Sequence, residues 1–170
     1  PVNPIRVKDK IAGAKKYYEY HDRCLFCDLI RQEKASGQRV VVETDHFLAI
    51  TPFASRFPFE IWVLPKIHAC DFAQSLAGYE RDLAKMMKEV LRRIKVGMED
   101  PAYNYVVQTA PFCLENAGGT KYRTIEQDYH WHLEILPHIS RVAGFEKGTG
   151  FYICSIPPET TAKFLREVKI

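Results

Sequence analysis

Apolar residues recur along this chain with two different periods. Residues 129–136, YHWHLEIL, alternate strictly until Pro137 interrupts them, which is a strand pattern. Shorter β-rich runs at 40–43 and 47–51 flank Thr44, Asp45 and His46 and predict a hairpin. Residues 60–64 form a further strand stopped by Pro65, so that His68 sits just past a strand end. Runs at 103–109 and 151–155 complete the strands. The longest helical period covers 77–98 and turns Leu83, Met87, Leu91 and Ile94 toward the sheet. Residues 5–22 carry a basic, Tyr-rich helical pattern through Ile11, Ala14, Tyr17 and Tyr18, with a short continuation at 28–33. Residues 157–168 read as a helix with prolines in its first turn. ASGQR at 35–39 is a turn, 110–128 lacks any period and reads as a mobile loop, and 141–150 reads as a Gly-rich turn. Strands joined by hairpins, with helices on one side, define an α+β class with an antiparallel sheet.

At 170 residues, 46% hydrophobic and 26% charged, the chain is sized for one domain with a real core. Residues 1–23 read as a helical lead-in and 24–170 as the domain proper. No run approaches the roughly 20 apolar residues of a membrane span, and no secretory pattern opens the chain, so a cytoplasmic protein with no membrane partner is expected. The net charge of +3 is spread along the chain. Its densest basic run, at 85–95, is interleaved with Met86, Met87, Val90, Leu91 and Ile94, which makes it a solvated helix face rather than a nucleic-acid surface.

The five cysteines are an odd number, which argues against a disulfide framework. Cys70, Cys113 and Cys154 read as small buried residues. Cys24 and Cys27 form CLFC, the spacing at which two thiolates reach one tetrahedral ion. A redox dithiol is the competing reading, but no thioredoxin-like strand precedes Cys24; two plain buried cysteines is the other. His68 and His130, both on rigid elements, complete a four-ligand set if the fold brings them close. His21 and His46 are the alternative donors, and their helix and turn contexts favour exposed side chains. Period-2 geometry puts His130, His132 and Glu134 on one sheet face and Trp131, Leu133 and Ile135 on the other. Three polar side chains in a row line a cleft or bind something, because burying them idly is costly. For His132, the competing reading is a hydrogen-bonded sheet histidine.

CLFC, IWVLPKIH and HWHLEILP, in that order, resemble the histidine-triad superfamily. Together with FASRFPFEIWVLPK, and with GFEKGTGFYI followed by PPE, they more closely resemble the C-terminal half of the galactose-1-phosphate uridylyltransferase family. The resemblance implies a half-barrel antiparallel sheet and a two-step nucleotidyl exchange between UDP-glucose and galactose 1-phosphate through a covalent nucleotidyl-histidine. It implies a structural zinc, with iron less favoured, on Cys24, Cys27, His68 and His130. His132 takes the nucleophile-equivalent position and Glu134 a substrate-facing one. Lys147, Gly148, Thr149 and Gly150 are assigned to the hexose phosphate, where glycine amides and a lysine suit an anion; a tight turn is the alternative. The family's nucleophile lies on an HPH strand followed by Gln. Here Trp131 and Glu134 stand at those positions, and a carboxylate there repels a phosphate. The chain is therefore expected to lack the nucleophilic half and to act as a homodimer or paired with an N-terminal half-domain. An autonomous hydrolase or transferase using His132, and a non-catalytic zinc-stabilised nucleotide-binding module, are the alternatives.

Overall fold

The computed structural model describes residues 4–111, 123–139 and 143–170. Helix α1 (Ile5–His21) ends at Asp22, which adopts a left-handed φ of 53° and returns its N–H to the Tyr18 carbonyl. Helix α2 (Leu25–Ser36) follows at once and stops at Gly37, whose φ of 66° makes the left-handed cap that glycine takes without strain. Strands β1 (Val40–Glu43) and β2 (Phe47–Ile50) form the expected hairpin, closed by the Thr44 N–H on the Phe47 carbonyl. Strand β3 (Ile61–Pro65), the short helix α3 (Phe72–Ser75) and the long helix α4 (Glu80–Gly97) come next. Then follow β4 (Tyr103–Gln108), α5 (Ile125–Asp128), β5 (His132–Pro137), α6 (Gly144–Thr149) and α7 (Pro158–Glu167).

All strand pairs are antiparallel in an open five-stranded sheet of order β1-β2-β3-β5-β4. The α+β expectation holds, but the helices do not all lie on one side. Leu83, Met86, Val90 and Ile94 of α4, with Ala162 and Leu165 of α7, pack on Phe47, Ala49, Ile61, Val63, Trp131, Leu133 and Ile135. On the opposite face, Ile11 and Ala14 of α1 and Phe26 and Ile30 of α2 cover Leu48, Ile50 and Leu64. The physical reason is β2, whose four residues are all buried and so carry apolar side chains on both faces. The buried stripe of α4 includes Met86 and Val90, while Met87 and Leu91 are only partly buried at its margin.

α7 is fixed on α4 by close backbone approach. A Cβ on Gly97 would meet Val168 Cγ2 at 2.7 Å, and the Arg93 guanidinium donates to the carbonyls of Leu165 and Arg166 at 2.8 and 2.9 Å. That places a charge-assisted cap on carbonyls that α7 leaves without intrahelical partners.

Three expectations change in the second half. Residues 144–149 form α6 rather than a turn, because the Glu146 carboxylate accepts the Ala143 N–H at 2.7 Å and Gly150, at φ 75°, caps the far end. Residues 151–155 join no sheet ladder, so the last expected strand is absent among the described residues. Within the expected 110–128 loop, residues 125–128 are helical, and 112–122 lie outside the described residues, as do Cys113 and residues 140–142. Cys70 and Cys154 are half-buried rather than buried. No helix among the described residues is long and apolar enough to cross a membrane.

Candidate metal centre and the buried histidine face

The left-handed turn at Asp22 swings the chain from α1 so that Cys24 becomes the N-cap of α2 and Cys27 lies in its first turn. Past the end of β3, the Lys66 N–H bonds the His46 carbonyl at 2.8 Å and starts the segment that carries His68. The Trp131 N–H bonds the Ala69 carbonyl at 2.9 Å, which ties the residue after His130 to the residue after His68. His130 therefore stands two residues ahead of β5 rather than within it. These connections bring the ligand atoms of Cys24, Cys27, His68 and His130 within 4.8 Å of one another. Cys27 Sγ lies 3.3 Å from His68 Nδ1 and 3.6 Å from His130 Nδ1.

Each imidazole is oriented by the main chain. His68 Nε2 lies 2.9 Å from the Glu126 carbonyl and His130 Nε2 2.9 Å from the Pro65 carbonyl. A carbonyl accepts only, so both Nε2 atoms carry the proton and both Nδ1 lone pairs face the cluster, the ordinary outer arrangement around a metal-binding histidine. The contact between the two thiols pushes Cys24 down and Cys27 up. Hydrogen bonding to Cys24 in turn raises His68. Four soft or borderline donors, Cys24 and His130 buried, fit a metal ion with no coordination position left for a substrate. Neither alternative donor joins them: His21 stacks on Tyr17 and Tyr20, and His46 pairs with Asp82.

One turn of strand further on, His132 is wholly buried. Its ring packs against Phe26 and Trp62, with centroids at 4.8 and 5.0 Å. Nδ1–H donates to the His130 carbonyl at 3.0 Å, and Nε2 receives Lys10 Nζ at 3.3 Å. Burial first, and the Lys10 charge second, push His132 down to about 3, so it is neutral at pH 7. Glu134 is 1% exposed and binds Lys10, Arg56 Nη2 at 2.9 Å and Gln108 Nε2 at 3.3 Å. Arg56 also binds Glu60 at 3.0 Å, and the Trp62 indole N–H donates to Glu60 at 2.9 Å. Lys10 and Arg56 thus face the carboxylates of Glu60 and Glu134 beneath α1. Burial pushes Lys10 down to about 7.

Sequence reading identified His132 and Glu134 but not Lys10, Arg56 or Glu60. The signal for Arg56 and Glu60 was available in their opposite charges four residues apart in the irregular segment before β3. Lys10 carried none, because its partner is 124 residues away. Lys147, Gly148 and Thr149 lie in α6, with Gly150 as its cap, and all four are exposed at the surface. Among the described residues, no hydrogen bond, ion pair or ring contact joins them to His132 or Glu134.

The sheet order, with the HWH segment leading into β5, is that of a histidine-triad-type fold. A histidine triad family protein from Mycobacterium smegmatis, solved with zinc bound, shares this fold at a TM-score of 0.54 and 19% identity, covering 85% of this chain and 91% of that one. Residues 10–151 match the family model for the galactose-1-phosphate uridyl transferase, C-terminal domain, and the chain belongs to that family. An ADP-glucose phosphorylase of Arabidopsis thaliana is 37% identical over 171 residues, covering 100% of this chain and 45% of the relative. A crystal structure of an ADP-glucose phosphorylase from that plant, with bound ADP-glucose, superposes with a TM-score of 0.85 at 36% identity, over 100% of this chain and 50% of that one. Galactose-1-phosphate uridylyltransferase of Thermotoga maritima is 30% identical over 177 residues, covering 100% of this chain and 52% of the relative. The chain thus spans about half the length of the curated relatives it matches.

Proposed function

We propose that this chain is the zinc-binding, hexose-phosphate-binding half of a nucleotidyltransferase that exchanges a nucleotidyl group between a sugar nucleotide and a hexose 1-phosphate, and that it does not itself supply the nucleophile. The observation that carries the reading is the closure of His132. Its Nε2, the atom that would attack an α-phosphorus, is occupied by Lys10, and the ring is wholly buried with Phe26 and Trp62 packed against it. Glu134 has the same bias: its carboxylate is consumed by Lys10, Arg56 and Gln108, which supports an internal rather than a substrate-facing role.

Zinc is the metal favoured by two thiolates and two imidazoles. Bonds of about 2.0–2.3 Å imply tetrahedral edges of about 3.3–3.8 Å, and the 3.3 and 3.6 Å separations at Cys27 already match. With no free position, the ion's role is structural. Lys147, with Gly148, Thr149 and Gly150, is proposed to meet the hexose phosphate from the exposed α6. Strand β4 is an edge strand with Tyr103, Tyr105 and Val106 exposed, a surface suited to pairing with a second half-domain or a second copy.

Incubation with UDP-glucose and with ADP-glucose, each radiolabelled in the nucleotide α-phosphate, followed by denaturation, tests the reading. No label is expected on the chain. Label retained by wild type and absent from His132→Ala would make His132 a nucleophile and overturn it. The ADP-glucose arm is needed because a relative named for that substrate matches the whole chain. Calorimetric titration with glucose 1-phosphate and galactose 1-phosphate, compared with Lys147→Ala, then checks the phosphate assignment: binding unchanged in the variant removes it.

A further inference from the structure

A cavity of about 220 Å³ opens on the α4 side of the sheet, away from His132 but lined in part by His68 of the Cys/His cluster. Its floor is the pair of buried rings Phe47 and Trp131, and its rim is formed by His46, Tyr79 and the exposed Ile67. We propose that this cavity is a binding site for a small uncharged planar heteroaromatic molecule of one or two rings, packed against the Phe47 and Trp131 rings and hydrogen-bonded by His46 at the rim.

Three observations support it. First, the lining is mainly apolar and, beyond the imidazoles of His46 and His68, carries no lysine or arginine, so it suits an uncharged molecule better than a phosphate or other anion. Second, the volume exceeds several waters at about 30 Å³ each but falls below the roughly 300 Å³ at which drug-sized sites begin, which suits one or two fused rings. Third, His46 is held in place by Asp82. Asp82 accepts its backbone N–H at 3.0 Å and its ring Nδ1–H at 3.3 Å, and also takes the Thr44 hydroxyl at 2.9 Å. A carboxylate on Nδ1 makes that nitrogen the donor, and in the neutral imidazole Nε2 is then the acceptor. The Tyr79 ring stacks on His46 at 4.4 Å. Among the described residues, neither His46 Nε2 nor the Tyr79 hydroxyl has a hydrogen-bond partner. A ring N–H beside a ring nitrogen, as in a purine or a pyrimidine-type base, satisfies both. Ser75, also on the lining, is already engaged by the Trp131 indole N–H at 2.7 Å, and this contact holds the floor in place.

The test is calorimetric titration of the metal-loaded chain with adenine, with indole as the apolar bicyclic comparison and ADP as the anionic one. Adenine is expected to bind at one site. His46→Leu should weaken it by roughly tenfold, the loss of one hydrogen bond in a shielded site. Ile67→Trp, at an exposed position beside the rim, should abolish it by filling the mouth. Metal content and melting temperature of both variants establish that they are folded. Saturable adenine binding that survives Ile67→Trp, indole binding as tightly as adenine, ADP binding more tightly than adenine, or no saturable heat up to the solubility of adenine each overturns the proposal.

Discussion

The two faces of β5 and its lead-in are built from alternate residues of one segment and are stabilised in different ways. Trp131, Leu133 and Ile135 point into a continuous apolar core under α4 and α7, where stabilisation is spread over many small contacts. His130, His132 and Glu134 point toward α1 and α2, where each depends on a few specific partners. The apolar face yields gradually to truncation, whereas the polar face fails by leaving a charge or a ligand alone. Alternation alone cannot distinguish a cleft from a filled face. Here the filling comes from Lys10, Phe26, Arg56 and Trp62.

The largest effect that separates the faces is expected at the metal. Chelation, or Cys24→Ser or His130→Ala, should remove the proposed zinc and lower unfolding free energy by ~5 kcal/mol or more, because a closed four-ligand site would tie α2 to the segments after β3 and before β5. Metal analysis beside denaturant unfolding checks this; full zinc retention in either variant removes that residue from the ligand set. Next in size is Glu134→Leu, which strands Lys10 and should cost about 3–5 kcal/mol. The double change with Lys10→Met should recover part of that loss, and a strictly additive result means the pair is not coupled. Leu133→Ala, one residue away on the other face, should cost about 3 kcal/mol through its cavity, with no single partner able to rescue it.

The smallest expected effect is the pH dependence contributed by His132. Its folded pKa, about 3, lies below the ordinary 6.5, so the unfolded chain binds a proton that the native chain refuses. The contribution is complete above pH 6.5 and is lost as pH falls toward 3, at up to about 1.4 kcal/mol per unit. Between pH 7 and 5, stability of wild type relative to His132→Asn should therefore fall by about 2 kcal/mol. Parallel curves for the two proteins would show that His132 titrates freely.

Legibility in the sequence followed the range of the interactions. The hairpin, β5 and α4 were visible because period and turn chemistry act over a few residues, and CLFC was visible because one helix turn holds both thiols. That His68 and His130 would meet Cys27 depended on the Trp131–Ala69 bond, which local pattern does not encode. The stretch around Gly148 and Gly150 misled because glycine marks either a turn or a helix end, and the deciding contact was Glu146 on Ala143. The second helical layer was missed because the solvent exposure of α1 hides Ile11 and Ala14 among charges, although β2, apolar at every position, already required cover on both sides.

The carbonyls of Pro65 and Glu126 that hold the two metal-facing imidazoles belong to the main chain. No side-chain substitution can delete an amide oxygen, so the tautomer of each histidine is written into the path of the backbone. A designer who grafts Cys24, Cys27, His68 and His130 onto another scaffold would copy the ligands and lose what aims them. The transferable unit is the end of β3 together with the α5 turn, and drift in surrounding side chains can proceed without disturbing the proton inventory of the site.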